Sequence, residues 1–204
     1  MASLTIKYIC LLILGILFSF TSAIAGVSHP AVAISIEGVP NLYLVTTNFY
    51  RSAQPTAAGF RHIIRQRRIQ TVIDLRYYDL WDRKLTAGLN VSLHEVPMDP
   101  FDTALFNIKT DKVLEALRVL RLSTKNGATL LHCQDGSDRT GLITALYRVI
   151  YENWTPDEAI AEMLQPKFGF HYWYWPSIVG YIRSPTNISF LKQQLGVTSA
   201  RTIQ

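Results

Sequence analysis

The stretch HCQDGSDRTG, residues 132–141, determines how the rest of this sequence is interpreted. It places Cys133 six residues before Arg139, with Gly136 between them. The apolar run ATLLHC that ends at the cysteine predicts a buried strand, and RTGLITAL predicts the first turns of a helix. The segment from Cys133 to Arg139 is therefore expected to join the carboxyl end of a strand to the amino end of a helix.

Such a loop is suited to binding an anion. Backbone amides at the amino end of a helix point outward, and the helix dipole favours negative charge there. Gly136 permits the sharp turn that directs several amides toward one point. A cysteine held over these amides is stabilised as its thiolate, and the Arg139 guanidinium can bind two phosphate oxygens at once. The residues expected to bind phosphate are Gln134, Asp135, Gly136, Ser137, Asp138 and Arg139.

This loop, with His132 before it and Thr140 after Arg139, resembles that of the cysteine-dependent phosphatases of the protein tyrosine and dual-specificity superfamily. Other stretches are similar to bacterial members, including atypical ones, so that the resemblance covers most of residues 41–175. These stretches are NFYRSAQP (48–55), TVIDLR (71–76), VPMD (96–99), TALYRVIYENWTPDEAIAEM (144–163) and FGFH (168–171).

The resemblance implies a two-step reaction with no metal and no other cofactor. A thiolate attacks the phosphate ester, and water then hydrolyses the phosphocysteine intermediate. In this interpretation Cys133 is the nucleophile, Arg139 binds phosphate, and Thr140 assists the thiolate. His132 supports the loop through hydrogen bonds, although a histidine at the end of a buried strand can also be merely structural.

The same resemblance implies an aspartate that protonates the leaving group, on a mobile loop roughly thirty residues before the cysteine. Asp99 lies 34 residues before Cys133 and Asp102 lies 31 before it, and we favour Asp99. Either residue could instead cap the helix that follows. A third candidate is Asp138, because myotubularin-like lipid phosphatases resemble this chain in having aspartates at the positions of Asp135 and Asp138.

The sequence nevertheless favours a structural role for Asp138. It adjoins Arg139, whose positive charge keeps a neighbouring carboxylate ionised and makes it a poor acid. A carboxylate at the start of a helix is also stabilising. We therefore expect Asp138 to cap the helix and brace the loop.

The whole chain has 204 residues, of which 49% are hydrophobic, which is enough for one well-buried domain. Strand-like stretches at 41–53, 71–76, 91–99 and 128–133 alternate with helix-like stretches at 54–67, 107–124, 138–154 and 155–165. The pattern predicts a single α/β domain with a central, mostly parallel mixed sheet of about five strands flanked by helices.

The amino terminus is typical of a secretory signal peptide. Lys7 precedes the apolar run YICLLILGILFSF, and Ala23 and Ala25 have the small-residue spacing of a cleavage site. The run is short for a membrane-spanning helix, which needs about 20 residues. We expect residues 1–25 to be removed, and residues 26–204 to form an exported phosphatase domain, periplasmic or secreted, without stable membrane insertion. An uncleaved anchor or a core helix is the alternative.

Composition also restricts the partners. The formal net charge is +5, and the arginines of IIRQRR (63–68) are not interleaved with aromatic residues, so nucleic-acid binding is not expected. The expected partner is a phosphorylated protein, or a phosphorylated small molecule or lipid. The alternatives are a phosphoinositide or inositol phosphate phosphatase and an inactive phosphate-binding module. The seven aromatic rings of 168–182 either cap the core or form a wall facing a lipid or aromatic group.

Overall fold

The computed structural model describes residues 29–77, 81–101 and 108–197. The expected signal peptide, residues 1–25, and Asp102 lie outside the described residues. The strands are β1 (Val32–Ala33), β2 (Tyr43–Thr46), β3 (Phe49–Ser52), β4 (Ile69–Asp74), β5 (Ser92–Glu95) and β6 (Ala128–His132). The α-helices are α1 (Ala57–Arg67), α2 (Trp81–Thr86), α3 (Thr110–Asn126), α4 (Asp138–Tyr151), α5 (Pro156–Met163), α6 (Pro176–Arg183) and α7 (Pro185–Gln194).

The strands form one mixed sheet in the order β1-β2-β3-β6-β4-β5. The first three are antiparallel, whereas β3, β6, β4 and β5 are parallel to one another. The predicted α/β fold is confirmed, and the additional strand is the two-residue edge strand β1. Parallel neighbours bring the carboxyl ends of β3, β6, β4 and β5 to one edge of the sheet, where Cys133 follows β6.

The core lies on both faces of this sheet. Leu130 and Leu131 are adjacent on β6 but belong to different apolar clusters, because successive strand residues point to opposite faces. The cluster around Leu131 includes residues from α3, α4, α5, α6 and α7, and the one around Leu130 includes Phe60 and Ile63 of α1. This arrangement buries β6 on both faces and fixes the position of the loop that follows it.

Local sequence sets several helix ends. Thr56 caps α1 by accepting a 3.0 Å hydrogen bond from the amide of Gly59. Thr155 and Glu158 form a capping box at the start of α5. The helix α2 and the 3₁₀ turn Pro166–Phe168 were not predicted. Among the described residues, no helix is both long enough and apolar enough to cross a membrane.

Candidate active site

The loop from Cys133 to Ser137 lies flat against the corner that follows β3. Gly136 has a φ of 68°, and a Cβ atom there would lie 2.5 Å from the backbone carbon of Ser52 and the nitrogen of Ala53. The amide of Gln54 donates to the carbonyl of Gln134 over 3.0 Å. Only glycine fits this approach, because any side chain would push the loop away from the sheet.

The thiol of Cys133 is enclosed by the protein. Cys133 is 2% exposed, and Thr140, in the first turn of α4, is fully buried. The Thr140 hydroxyl has no hydrogen-bond partner among the described residues. Buried hydroxyls normally have one. The Thr140 hydroxyl can therefore donate the hydrogen bond that the sequence leads us to expect with a Cys133 thiolate.

Arg139 lies at the edge where three parallel strands end. Its Nη1 atom is 3.3 Å from the carbonyl oxygens of Leu75, after β4, and Met98, after β5. Asp99 directly follows Met98, so its backbone lies one residue from this contact. The Asp99 carboxylate accepts a 2.8 Å hydrogen bond from the amide of Phe101. The structure thus brings the loop carrying Asp99 to the arginine that the sequence predicts to bind phosphate.

A buried network of charges lies beneath His132. The His132 Nε2 atom is 2.8 Å from a carboxylate oxygen of Asp82, and Arg76 bridges Asp74 and Asp82 at 2.8 and 2.7 Å. Gln54 also donates to Asp82, over 2.9 Å. The network ties the ends of β4 and β6 to α2, so it fixes the residue directly before the cysteine.

The charge of Asp82 is set by this network. Burial disfavours its ionised form, but the adjacent His132 ring and Arg76 lower its pKa below the usual value. Asp74, Asp82 and His132 could also present oxygen and nitrogen atoms within 4.8 Å of one another to a cation. Because the Arg76 guanidinium already bridges both carboxylates, the arrangement is an ion-pair network rather than a metal-binding set.

Asp138 does not form the side-chain cap that the sequence predicted. It is the first residue of α4, and its buried carboxylate binds His171 instead. One carboxylate oxygen accepts from the His171 amide and the other from its Nδ1 atom, both over 2.9 Å. The interaction holds the segment FGFHYWYW (168–175) beside the loop, which agrees with the expected bracing role.

Arg51, for which the sequence predicts no role, lies beneath the loop. This β3 residue is 1% exposed, and its Nη2 atom donates to the carbonyl of Gly136 over 2.7 Å. Its guanidinium carbon lies 4.5 Å from the centre of the Phe168 ring. Burial lowers the pKa of Arg51 to about 10, whereas negative charge at Cys133 and Glu162 acts in the opposite direction. A charged residue inside an otherwise buried strand is the signal that could have revealed it.

The aromatic segment after the loop is divided between core and surface. Phe168 is fully buried, as a core-capping role requires. Trp173 and Tyr174 are 90% and 75% exposed, next to the residue that Asp138 holds. Phe168 therefore has the core-capping role, whereas Trp173 and Tyr174 lie at the surface within three residues of His171.

Comparison with known proteins agrees with this geometry. A model of the tyrosine phosphatase family matches residues 40–166, which include the loop, Arg51 and Asp82. The chain belongs to the tyrosine phosphatase family. The superfamily inferred from the loop is thereby confirmed.

Individual members of the tyrosine phosphatase family give the same result. The chain is 30% identical over 145 residues to the dual specificity protein phosphatase TpbA of Pseudomonas aeruginosa, covering 71% of this chain and 63% of that protein. It is 27% identical over 116 residues to inositol diphosphatase DSP2 of Oryza sativa, covering 56% and 55%. The chain thus spans less than two thirds of the length of these curated relatives.

A solved structure of P. aeruginosa TpbA in complex with pTyr is similar to this chain. Its TM-score is 0.69 with 25% sequence identity, and the match covers 87% of this chain and all of the other. The tyrosine phosphatase fold therefore extends through nearly all the described residues.

Proposed function

We propose that this chain hydrolyses phosphate monoesters through a phosphocysteine intermediate. The observation that carries the proposal is the enclosure of Cys133 within the same short loop as Arg139, with the unpartnered Thr140 hydroxyl in the following turn. Loop amides and the arginine bind the nonbridging phosphate oxygens, and Thr140 donates a hydrogen bond to the sulfur. These groups stabilise the charge of the transferring phosphoryl group.

The proposed reaction has two displacement steps. The Cys133 sulfur attacks phosphorus, the phosphorus–oxygen ester bond breaks, and Asp99 gives its proton to the departing oxygen. Water then attacks the phosphocysteine, Asp99 takes the proton of that water, and the sulfur–phosphorus bond breaks. Phosphate is released and the thiolate is restored, so neither a redox partner nor a cofactor is consumed.

Phosphotyrosine, or phosphoserine and phosphothreonine, in proteins is the proposed substrate class. It is supported by the similarity to a relative named as a dual specificity protein phosphatase, with 30% identity, and to its structure with pTyr. A phosphoinositide or inositol phosphate is the second candidate. It is favoured by the similarity to an inositol diphosphatase and by Trp173 and Tyr174, since exposed tryptophan and tyrosine are common at lipid–water interfaces.

Export remains part of the proposal. The basic residue Lys7, the apolar run and the alanines before Gly26 support cleavage after Ala25. The mature protein should then begin at Gly26 and be periplasmic or secreted. Amino-terminal mass spectrometry of exported protein would establish this, and an intact Met1 on that protein would exclude cleavage.

Turnover of an aryl phosphate tests the proposed reaction. We expect Cys133→Ser to abolish turnover while still binding inorganic phosphate, and we expect a chelator to have no effect. In protein that retains residues 1–25, Cys10→Ser is the matched control, because it removes the other cysteine of the sequence and should leave turnover intact. Full activity in Cys133→Ser would refute the mechanism. Phosphate binding without any turnover in the wild type would identify a binding module.

A substrate panel then separates the two candidate classes. Phosphopeptides, phosphoinositides in vesicles and soluble inositol phosphates are compared by kcat/KM. A preference for phosphopeptides supports the first class. A preference for either inositol-containing class moves the second candidate ahead.

A further inference from the structure

Arg51 is a buried cation that binds no carboxylate directly among the described residues. Its hydrogen bond goes to the Gly136 carbonyl, and its guanidinium packs over the Phe168 ring. Its Nε atom is buried with no hydrogen-bond partner among the described residues. An uncompensated charge inside a protein is strongly unfavourable. The position of Arg51 therefore requires a nearby negative charge.

The other groups around Arg51 are already engaged. Glu162 receives two 3.0 Å hydrogen bonds from Arg148 and a 2.7 Å bond from the amide of Ala31. Tyr43 donates its hydroxyl proton to the carbonyl of Lys167 over 2.9 Å. The remaining group that interacts with the charge of Arg51 and can be negative is Cys133.

The sheet register places Arg51 and Cys133 on the same face. Arg51 of β3 is aligned with Leu131 of β6, and Cys133 is two residues farther along the chain. Because alternate residues of a strand share a face, the side chain of Arg51 lies on the side of the sheet from which the cysteine enters the loop. Both residues are buried, so solvent screens their interaction weakly.

The bond to Gly136 also orients the loop. In a trans peptide, the carbonyl and the following N–H point in opposite directions. Because Arg51 holds the Gly136 carbonyl beneath the loop, the amide of Ser137 is directed away from Arg51. An amide turned away from Arg51 can contribute to the anion binding expected of this loop.

We propose that Arg51 positions the catalytic groups from beneath, by stabilising the Cys133 thiolate with its charge and by fixing the Gly136–Ser137 peptide. The proposal rests on the function proposed above for Cys133. Arg51 is buried and does not reach substrate, so its role differs from that of Arg139. The ionisable groups around the pair are Tyr43 on β2, Glu162 on α5, Arg148 on α4, and Asp135, Asp138 and Arg139 at the loop and helix start.

Alkylation of Cys133 by iodoacetamide tests this proposal without requiring turnover, because the thiolate is the reactive form. Rates are measured by intact-protein mass as a function of pH, and Cys10→Ser is added wherever residues 1–25 are retained, so that Cys133 is the one cysteine of the sequence that remains. We expect Arg51→Met to move the midpoint of the profile upward by about one pH unit, which lowers the rate about tenfold on the acidic side. Arg51→Lys keeps the charge and should restore most of the wild-type profile.

Phe168→Leu is the matched control, because it loosens the packing under Arg51 but retains the guanidinium. Its midpoint should equal that of the wild type. An equal shift in Phe168→Leu and Arg51→Met would mean that packing, not charge, is responsible, and would overturn the proposal. Arg51→Gln provides a second uncharged variant should Arg51→Met not fold, because its amide can still donate to Gly136. An unchanged midpoint in the folded uncharged variant also overturns it.

Turnover of the same samples separates this proposal from the proposed function. If alkylated wild-type protein still hydrolyses aryl phosphate, then Cys133 is not the nucleophile and the proposed function fails. If alkylation abolishes turnover but Arg51 variants leave the midpoint unchanged, only the role of Arg51 fails.

Discussion

A buried arginine lies near each end of helix α4, Arg51 of β3 at the amino end and Arg148 of the helix itself at the carboxyl end, but their charges are neutralised differently. At the carboxyl end, Arg148 forms hydrogen bonds with Glu162 and Glu152 and lies over the Trp154 ring. Burial alone would lower the pKa of Arg148, but these glutamates raise it above the usual value. At the amino end, Arg51 binds a carbonyl and a ring, and its pKa is lowered to about 10.

Arg148 is therefore a cation that stabilises the fold, whereas Arg51 is placed to affect the proposed reaction at Cys133. Arg148 and its glutamates satisfy one another, and the charges of Glu162 and Arg148 act on Arg51 in opposite directions. Arg51 binds no carboxylate directly among the described residues, so its charge can stabilise the Cys133 thiol in its ionised, negative form. Changes at the amino end of α4 should therefore act mainly on reaction rate, and changes at the carboxyl end mainly on stability.

The largest expected effect is on rate, at the amino end. Asp99→Asn removes the proposed proton donor and should slow hydrolysis of aryl phosphates with poor leaving groups by about 10²–10⁴-fold. Good leaving groups need no proton, so their hydrolysis should change far less. The measurement is kcat/KM across a series of substituted phenyl phosphates.

Asp138→Asn is the matched control for that series. It alters the contact with His171 and should weaken phosphate binding or stability without any dependence on the leaving group. If the dependence appears in Asp138→Asn and not in Asp99→Asn, the chemistry is myotubularin-like and the lipid phosphatase candidate gains support.

The next effect is on stability, at the carboxyl end. Arg148→Met leaves Glu162 buried without its cation and should lower the free energy of unfolding by about 3–5 kcal/mol. Arg51→Met leaves no carboxylate of the described residues without an ion-pair partner, so it should lower this free energy by much less. Urea denaturation of both variants tests the contrast, and equal losses would contradict it. The double variant Arg148→Met, Glu162→Leu should recover most of the loss.

Asp82→Asn tests the network beneath the loop through its pH dependence. The pKa of Asp82 is lower in the folded state than in the unfolded chain, so its ionisation stabilises the fold above about pH 4. That stabilisation is lost as the pH falls through the folded-state value. Urea denaturation should show a difference of about 1–3 kcal/mol between wild type and variant near neutral pH, narrowing in acid.

Asp111→Asn is the control for this experiment, because Asp111 is exposed in the first turn of α3. It should show little pH-dependent difference from the wild type. A constant difference for Asp82→Asn from neutral to acidic pH would show that its charge does not stabilise the network.

The smallest expected effect is at a helix end remote from the chemistry. Thr155→Ala removes the cap of α5 and should lower the free energy of unfolding by about 1 kcal/mol with kcat unchanged. Thr155→Ser retains the hydroxyl and should retain the stability. A fall in kcat for Thr155→Ala alone would mean that changes beyond the amino end of α4 also affect the chemistry.

The elements that were predicted correctly are those determined by residues close together in the sequence. Strand and helix patterns gave β2 to β6 and most helices, and the capping residues Thr56 and Thr155 mark the starts of α1 and α5. The phosphatase family was also recognisable, because the cysteine, glycine and arginine of the loop lie within seven consecutive residues, 133–139. The helix α2 was missed because its six residues are too few for a clear periodicity.

The supporting residues could not be assigned because the fold brings them from distant segments. Arg51 and Gly136 are 85 positions apart, and Asp138 and His171 are 33 apart. Sequence patterns alone give neither the β3–β6 register that aligns Arg51 with the loop nor the approach of His171. Asp138 was therefore expected to cap its own helix, a common local interaction, whereas a distant histidine binds its carboxylate.

The approach of Gly136 to the Ser52–Ala53 backbone also has an evolutionary consequence. Two main-chain segments meet there with no space for a Cβ atom, so neither can diverge without the other. In a homologue without this glycine, either the loop must move away from the sheet or the backbone between β3 and α1 must take a different path. A single substitution achieves neither. Across related sequences, glycine at this position should therefore persist even where the nucleophile itself has been lost.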